Sequence, residues 1–376
     1  MPELRYFTAG ESHGQCLVGV LEGLPAGLKL DLDAVNRDLA RRQKGYGRGG
    51  RMKIETDTAE AVSGMRLGET IGSPLTLMVK NRDFKINDLP AVTKPRPGHA
   101  DLAGVIKYDR QDARDILERS SARETTVRVA IGGVCKQLLA HVGIDIVGHI
   151  VQLGPVTAKT DGYTFQQVRE RSEASEVRCV DADAEKKMID AIDEAKSQGD
   201  TLGGVFEIIA IGCPIGLGSH VQWDRKLDAD IARALMSIQA IKGVETGLGF
   251  EAGRRFGSQV HDEILPAKEG LLSRASNNAG GFEGGMTNGQ PVVVRAAMKP
   301  LSTLMKPMRS VDIKTQEEVK ATVERSDVCA TPAAAVIGEA VVAFELARAV
   351  LEKFGGDSLT ELKRNVESYR QACRRW

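Results

Sequence analysis

The spacing of apolar residues along the chain predicts five long helices. In each segment apolar side chains recur every three or four positions, as Leu32, Val35 and Leu39 do in the first. A capping residue precedes these segments or a glycine ends them, which is typical of helix ends. The predicted helices are 31–44, 121–142, 181–198, 331–354 and 358–373.

Alternating or β-branched apolar runs predict six strands, at 4–9, 16–21, 75–80, 144–151, 205–211 and 292–298. These strands do not alternate one for one with the helices, which disfavours a doubly wound parallel sheet. We therefore expect an α+β fold with antiparallel sheets, built as a single domain over residues 1–376. The longest apolar stretch, 333–351, contains three charged residues and predicts a buried or amphipathic helix rather than a membrane span.

Charge and cysteine usage narrow the class of protein. The 51 basic and 51 acidic residues give a formal charge of zero, which argues against a general nucleic-acid binder. The six cysteines are scattered and have neither C-x-x-C nor zinc spacing, and the N-terminus has no signal-peptide pattern. We therefore expect a cytoplasmic protein that has no metal site and does not attach to membranes.

The segment Gly10-Glu11-Ser12-His13-Gly14 directly follows the first predicted strand. It matches the G-x-S-x-G nucleophile elbow, so one hypothesis is a serine hydrolase that uses Ser12. An elbow requires a strand, a turn and a helix, whereas the residues after Gly14 predict a second strand. The other interpretation is a hairpin turn bounded by two glycines.

Two basic segments indicate anion sites. Residues 41–51 interleave arginines with glycines, which suits phosphate or carboxylate binding, although a solvated loop that contacts RNA is the alternative. Residues 118–126 place two serines and two arginines at the start of a predicted helix. Positive charge is unfavourable at a helix N-terminus unless an anion is bound there, so this segment predicts a phosphate site.

Several further segments could contribute to such a site. A rigid turn ends in His99, a glycine run covers 277–285, and Asp327 either caps the last apolar helix or is a catalytic carboxylate. The tripeptide Glu-Arg-Ser precedes two apolar helices, at 118–120 and 324–326, and is a weak indication of an internal repeat. From the residues alone we infer an enzyme that binds small phosphorylated ligands, with its reaction undetermined.

Taken together and in order, the motifs Gly-Glu-Ser-His-Gly (10–14), Arg-Pro-Gly-His-Ala-Asp (96–101), Arg-Ser-Ser-Ala-Arg-Glu-Thr (119–125) and Arg-Ser-Asp (325–327) closely resemble the chorismate synthase family. The resemblance extends over essentially the whole chain. It implies a layered β-α-β sandwich, with antiparallel sheets around central helices, and a homotetramer.

The resemblance also implies a reaction. Members of this family are lyases that convert 5-enolpyruvylshikimate 3-phosphate into chorismate and phosphate by a 1,4-elimination, the last common step of the shikimate pathway to aromatic amino acids. They require reduced FMN, and NADPH would be needed only by an enzyme that reduces its own flavin. The chain lacks the insertions of such self-reducing relatives, which favours the form that does not reduce its flavin.

Roles are implied for residues that match the family motifs. His13 resembles the proton donor to the leaving phosphate, His99 the residue that protonates reduced flavin, and Asp327 the carboxylate near flavin N5. The implied flavin contacts are Arg119, Ser120, Ser121, Gln239, Ala240, Gly284, Lys299, Pro300, Leu301, Ser302, Thr303 and Arg325. The implied substrate contacts are Ser12, Arg42, Arg48, Arg96 and Arg123, and some relatives have NADPH assigned to the positions of Arg42 and Arg48. The connection 81–94 is shorter than in many relatives, so no contacts are transferred to it.

Overall fold

The computed structural model describes residues 3–50, 55–268, 271–324 and 326–375. Its α-helices are α1 (Leu32–Gln43), α2 (Asp101–Tyr108), α3 (Arg114–Ser120), α4 (Thr125–Ala140), α5 (Phe165–Ala174), α6 (Ala182–Ser197), α7 (Leu227–Met236), α8 (Gly257–Val260), α9 (Thr331–Phe354) and α10 (Leu359–Cys373). Its β-strands are β1 (Arg5–Ala9), β2 (Cys16–Glu22), β3 (Ala59–Ser63), β4 (Met65–Arg66), β5 (Glu69–Thr70), β6 (Leu75–Lys80), β7 (Asp145–Leu153), β8 (Val156–Thr157), β9 (Gly204–Ile211), β10 (Ile241–Thr246), β11 (Ile264–Lys268), β12 (Leu271–Arg274), β13 (Phe282–Glu283), β14 (Met286–Thr287), β15 (Val292–Met298), β16 (Arg309–Val311) and β17 (Glu318–Lys320).

Two antiparallel sheets form the outer layers. The first has the strand order β1-β2-β6-β3 and the second the order β10-β15-β9-β7-β8. Buried and partly exposed residues alternate along β2 and β15, so one face of each sheet carries the apolar side chains. An antiparallel sheet with a single apolar face is stabilised when that face packs on helices.

The helices α1, α4, α7 and α9 form the layer between the sheets. Helix α4 packs on β2 and β6, α9 packs on β7 and β9, and the two helices pack against each other. Their close approach requires Gly132, because a Cβ atom there would lie 2.4 Å from the Cα of Ala340. A single hydrophobic cluster extends from Leu4 to Val366 through this layer. The predicted β-α-β sandwich with antiparallel sheets is therefore confirmed.

The five predicted helices and six predicted strands are all present, with bounds that differ by a few residues. The largest difference concerns the helix predicted at 121–142. A 3₁₀ turn covers Ala122–Glu124, α4 begins only at Thr125, and the Ser121 side chain accepts a hydrogen bond from the Arg123 N–H. Arg119 belongs instead to the last turn of α3, so the prediction that both arginines lie at one helix N-terminus is wrong.

Several elements were not predicted, although one of them has a clear local pattern. Helix α5 begins with a capping box, in which the Thr164 side chain accepts from the Gln167 N–H and the Gln167 side chain accepts from the Thr164 N–H. Ser or Thr followed three residues later by Glu or Gln is a sequence-level mark of a helix start. The pattern was therefore visible in the sequence at 164–167.

In the described ranges, no helix is both long and apolar enough to cross a lipid bilayer. In the same ranges, no group of three or more His, Cys, Asp or Glu side chains is arranged to hold a metal ion. All six cysteines are free thiols, and Cys135, Cys179, Cys213 and Cys329 are buried.

A buried carboxyl group on α9 makes the stability of the protein depend on pH. Burial raises the pKa of Glu345 to about 7, even though Arg348 lies 2.8 Å away. Because this folded-state pKa lies above that of the unfolded chain, the stability contributed by Glu345 is complete below about pH 4 and is lost as the pH rises through 7. Glutamine does not titrate, so the Glu345→Gln variant avoids this loss. We therefore expect the free energy of unfolding of the variant minus that of wild type to increase by about 2 kcal/mol from pH 5 to pH 8.5.

Chemical denaturation of both proteins at the two pH values measures this difference. The matched control is Glu352→Gln, since Glu352 lies on the same helix but is about half exposed and pairs with Arg225. A constant difference between wild type and Glu345→Gln at both pH values would contradict the prediction.

Candidate active site

A cavity of about 650 Å³ opens between the two sheets at one end of the central helices. Its wall combines the β1–β2 turn, the loop after α1, the turn before α2, the segment from α3 to α4, the α7–β10 connection, the end of β15 and the start of α9. Segments far apart in sequence therefore meet at one site. The residues with implied roles that line it are Ser12, His13, Arg42, Arg48, Arg96, His99, Ser120, Ser121, Arg123, Gln239, Ala240, Lys299, Leu301, Ser302, Thr303 and Asp327.

The segment 10–14 forms the turn of the β1–β2 hairpin. Gly10 has φ +100°, and a Cβ atom there would lie 2.2 Å from the carbonyl oxygen of Cys16, so the turn requires glycine. Strand β2 begins directly after the turn. The hairpin interpretation is confirmed, and the nucleophile elbow is excluded because no helix follows Ser12.

The hairpin turn presents His13 to the cavity, where the side chain is held by a carboxylate from α3. Both oxygens of Glu118 lie 3.0 Å from His13 Nδ1, and the His13 backbone N–H donates to Glu118 Oε2 at 2.8 Å. On the other side of the ring, Nε2 is 3.7 Å from Asp83 Oδ2. Asp83 belongs to the short 81–94 connection, which thus lies against His13.

His99 has a similar environment at the start of α2. Its Nδ1 is 2.5 Å from Asp101 Oδ1, while Arg96 donates to Asp101 through Nε at 2.9 Å and to Thr303 through Nη1 at 3.0 Å. Burial alone would raise the pKa of the Asp101 carboxyl, but the hydrogen bonds from His99 and Arg96 hold it well below its usual range. Asp101 therefore remains ionised, so a carboxylate stands behind each candidate acid–base histidine.

Arg42 is buried in the cavity wall, close to a second buried arginine, Arg123. Arg42 donates to Thr125 Oγ1 through Nε at 3.1 Å, but Nη1 is buried and has no hydrogen-bond partner. Burial lowers the pKa of the Arg42 guanidinium to about 9, with Asp57 opposing the change and Arg123 adding to it. Arg123 itself is bonded to both oxygens of Asp57, at 2.7 and 2.8 Å. A bound anion would supply the acceptor that Arg42 Nη1 lacks.

The arginines of the basic segment 41–51 face two different environments, a buried ion pair and the cavity. Arg51 lies outside the described residues. Arg41 points away from the cavity and forms paired hydrogen bonds with Glu339, at 2.7 and 2.8 Å. Arg48 points into the cavity, where Nη1 lies 3.1 Å from Asp327 Oδ2. Because Arg41 and Arg42 are both largely buried, the interpretation as a solvated RNA-contacting loop does not fit.

Asp327 does not cap the last apolar helix. The residue at the N-cap of α9 is Ala330, and it makes no side-chain cap bond. The Asp327 carboxylate instead accepts the Gly49 N–H at 2.6 Å and faces Arg48. Of the two interpretations of Asp327, a helix cap or a catalytic carboxylate, its position in the cavity wall favours the second.

The α7–β10 connection supplies another part of the cavity wall. The carbonyl oxygen of the Gln239 side chain is buried without a hydrogen-bond donor. Ala240 has φ +68°, a left-handed conformation that is unusual for a residue with a side chain and is common at ligand sites. The apolar neighbours Met236 and Ile238 line the same wall.

Four residues with implied flavin contacts are not among those that line the cavity. Arg119 donates to the carbonyl oxygens of Thr8 and Gly10, at 2.9 Å each, and so braces the hairpin turn. Pro300 is exposed between two lining residues, and Gly284 lies in the β13–β14 turn. Arg325 lies outside the described residues.

Other residues at the site were not assigned a role from the sequence. Asp57 and Asn81 hold Arg123, with Asn81 accepting from its Nε at 2.9 Å, and Thr125 holds Arg42. Asp101 lay within the quoted 96–101 motif, so its importance could have been inferred. Asp57 and Asn81 lie outside every motif, and no local pattern distinguishes them.

Comparisons with known proteins show which family the chain resembles over its full length. A sequence profile of the chorismate synthase family matches residues 4–351. The chorismate synthase of Geobacter sulfurreducens is 59% identical over 391 aligned residues, covering 99% of each chain, and that of Syntrophotalea carbinolica is 55% identical over 388, covering both completely. A crystal structure of a chorismate synthase superposes with a TM-score of 0.83 at 45% identity, covering both chains completely. Since the profile and these relatives span nearly the full length, the chain belongs to the chorismate synthase family.

Proposed function

We propose that the chain converts 5-enolpyruvylshikimate 3-phosphate into chorismate and phosphate by a 1,4-elimination that requires reduced FMN. The observation that carries the proposal is the convergence of four arginines from three separate segments on a cavity that also contains two carboxylate-held histidines. The arginines are Arg42, Arg48, Arg96 and Arg123. A substrate with one phosphate and two carboxylates suits this charge, because guanidinium groups bind both kinds of anion through paired hydrogen bonds.

The part of the wall formed by the α7–β10 connection is suited to a flavin. No protein group donates a hydrogen bond to Gln239 Oε1, so this oxygen is available to accept one from an N–H of the flavin ring. Met236 and Ile238 offer apolar surface to the planar ring system. Ser120, Ser121, Ala240, Lys299, Leu301, Ser302 and Thr303 complete the set of proposed flavin contacts on this cavity. When bound, reduced FMN supplies the electron density that cleavage of the C–O bond requires.

The two histidines are proposed to carry protons. Because the Glu118 carboxylate only accepts, His13 Nδ1 carries a hydrogen, and Nε2 is the atom that can give a proton to the departing phosphate. His99 Nδ1 is likewise held by Asp101, so its Nε2, which lies 3.3 Å from Arg96 Nη2, is the nitrogen proposed to exchange a proton with the bound flavin. Arg42 and Arg123, both buried in the cavity wall, stabilise the charge that develops on phosphate.

An anaerobic assay tests the proposal. The enzyme, dithionite-reduced FMN and 5-enolpyruvylshikimate 3-phosphate should yield chorismate and inorganic phosphate in equal amounts. Omitting the flavin should abolish turnover, and replacing dithionite with NADPH should fail if the enzyme does not reduce its own flavin. Absence of chorismate with reduced FMN present would refute the proposed reaction.

We further infer a single domain and a homotetramer located in the cytoplasm. The continuous core from Leu4 to Val366 supports one domain, and the family resemblance supports the tetramer. Free thiols, four of them buried, are typical of a reducing compartment. Light scattering of the purified protein would give the mass of the assembly, and a monomer mass would contradict the tetramer.

A further inference from the structure

Glu118 contacts His13 through both the backbone and the ring of the histidine. The His13 N–H donates to Oε2 at 2.8 Å, and Nδ1 lies 3.0 Å from each carboxylate oxygen. The rotation of the ring and the position of its main chain are therefore tied to one carboxylate. Glu118 is not among the described residues that line the cavity, so it can act on a ligand only through its neighbours, of which His13 is the one it contacts most closely.

The surroundings of Glu118 keep it ionised. Its side chain is only 2% exposed, and burial alone would raise its pKa. The hydrogen bonds from His13 and the charge of Arg114, whose Nη1 is 3.5 Å from Glu118 Oε1, hold the pKa below its ordinary value. An ionised carboxylate cannot donate, which selects the His13 tautomer with hydrogen on Nδ1.

Arg114 connects this pair to a second part of the cavity wall. Its Nη2 donates to Glu324 at 3.0 Å, and Glu324 lines the cavity. Glu118 and Glu324 are the first residues of the two Glu-Arg-Ser tripeptides noted in the sequence. The glutamates of both tripeptides therefore contact the same residue, Arg114.

We propose that Glu118, supported by Arg114, is a positioning residue for His13. Its carboxylate fixes the ring so that Nε2 faces the reacting phosphate and exchanges the proton. This inference rests on the proposed function. The charged groups that face His13 are Glu118 from α3 and, on the Nε2 side, Asp83, which pairs with Lys85 at 2.7 Å.

The test is Glu118→Gln, measured in the anaerobic assay. Loss of the orienting carboxylate should lower kcat by about 10- to 100-fold, with a much smaller change in KM, since such partners act through the group they orient. An unchanged kcat would overturn the proposal.

A double-substitution experiment separates positioning from a general structural effect. If Glu118 acts through His13, adding Glu118→Gln to His13→Ala should change kcat by less than about 2-fold, whereas independent roles would give multiplied losses. The matched control is Glu207→Gln, because Glu207 is also buried and lies 3.0 Å from a histidine Nε2, that of His149, but outside the cavity. The control should retain wild-type kcat.

One measurement needs no Glu118 variant and no turnover. In the ¹⁵N-histidine-labelled wild-type protein, the His13 signal can be identified by its loss in His13→Ala. Its neutral form should carry the proton on Nδ1, and a proton on Nε2 would overturn the proposal. If the wild type formed no chorismate, the proposed function would be refuted instead. The His13 tautomer would still test whether Glu118 positions the His13 ring.

Discussion

His13→Ala is expected to lower kcat by about 100-fold or more, the usual contribution of a positioned general acid. The leaving phosphate would then depart without a proton from Nε2. Binding of FMN should be retained, because the proposed flavin contacts around Gln239 and Lys299 lie on other segments of the wall. Anaerobic turnover and a flavin titration of the same preparation measure the two quantities.

The matched control for this prediction is His141→Ala. His141 is exposed at the C-terminal end of α4, away from the cavity, and its removal should leave kcat at the wild-type value. Turnover by His13→Ala at the wild-type rate would remove this residue from the mechanism.

Asp101→Asn is expected to lower the free energy of unfolding at pH 7 by about 3 kcal/mol, the typical cost of breaking a buried ion pair. Asp101 is fully buried and accepts from Arg96 and His99, so the substitution leaves the Arg96 guanidinium without its counter-charge. We also expect lower activity, because a neutral amide oxygen holds the His99 ring less strongly than the Asp101 carboxylate does. Denaturant unfolding at equilibrium measures the loss of stability.

The pH dependence of this stability loss distinguishes the ion pair of Asp101 with Arg96 from a loss of packing. The folded-state pKa of Asp101 is held well below that of the unfolded chain, so its contribution is present above about pH 4 and is lost as the pH falls further. The difference between wild type and variant should therefore shrink between pH 7 and pH 3. The control is Asp115→Asn, which removes an exposed pair with Arg110 worth at most about 1 kcal/mol. An equal loss at both pH values would contradict the ion-pair explanation.

His13 and His99 show how much of the site could be predicted from the sequence. Their motifs indicated candidate acid–base groups, and the family resemblance supplied roles for them. Asp101 lies in the same motif as His99, whereas Glu118 lies in the separate segment 118–126, and nothing in a linear motif says which oxygen meets which nitrogen. Only packing of α3 against the β1–β2 turn brings Glu118 to His13, across 105 positions of the chain.

The sequence by itself determined the main helices, the strands and the layered class of the fold. Strands β6 and β15 and helix α9 have the predicted bounds, because alternation, helical spacing and terminal glycines act over a few neighbouring residues. Helix α7 was missed although Leu227, Ile231 and Leu235 recur every four residues and are buried.

The tertiary structure decided which members of each motif face the ligand. Arg41 and Arg42 are neighbours, but successive side chains on a helix point about 100° apart. The packing of α1 therefore directs Arg41 to the buried Glu339 and Arg42 to the cavity. The acceptors that hold the cavity arginines, such as Asp57, reach them through contacts distant in sequence, which no local pattern encodes.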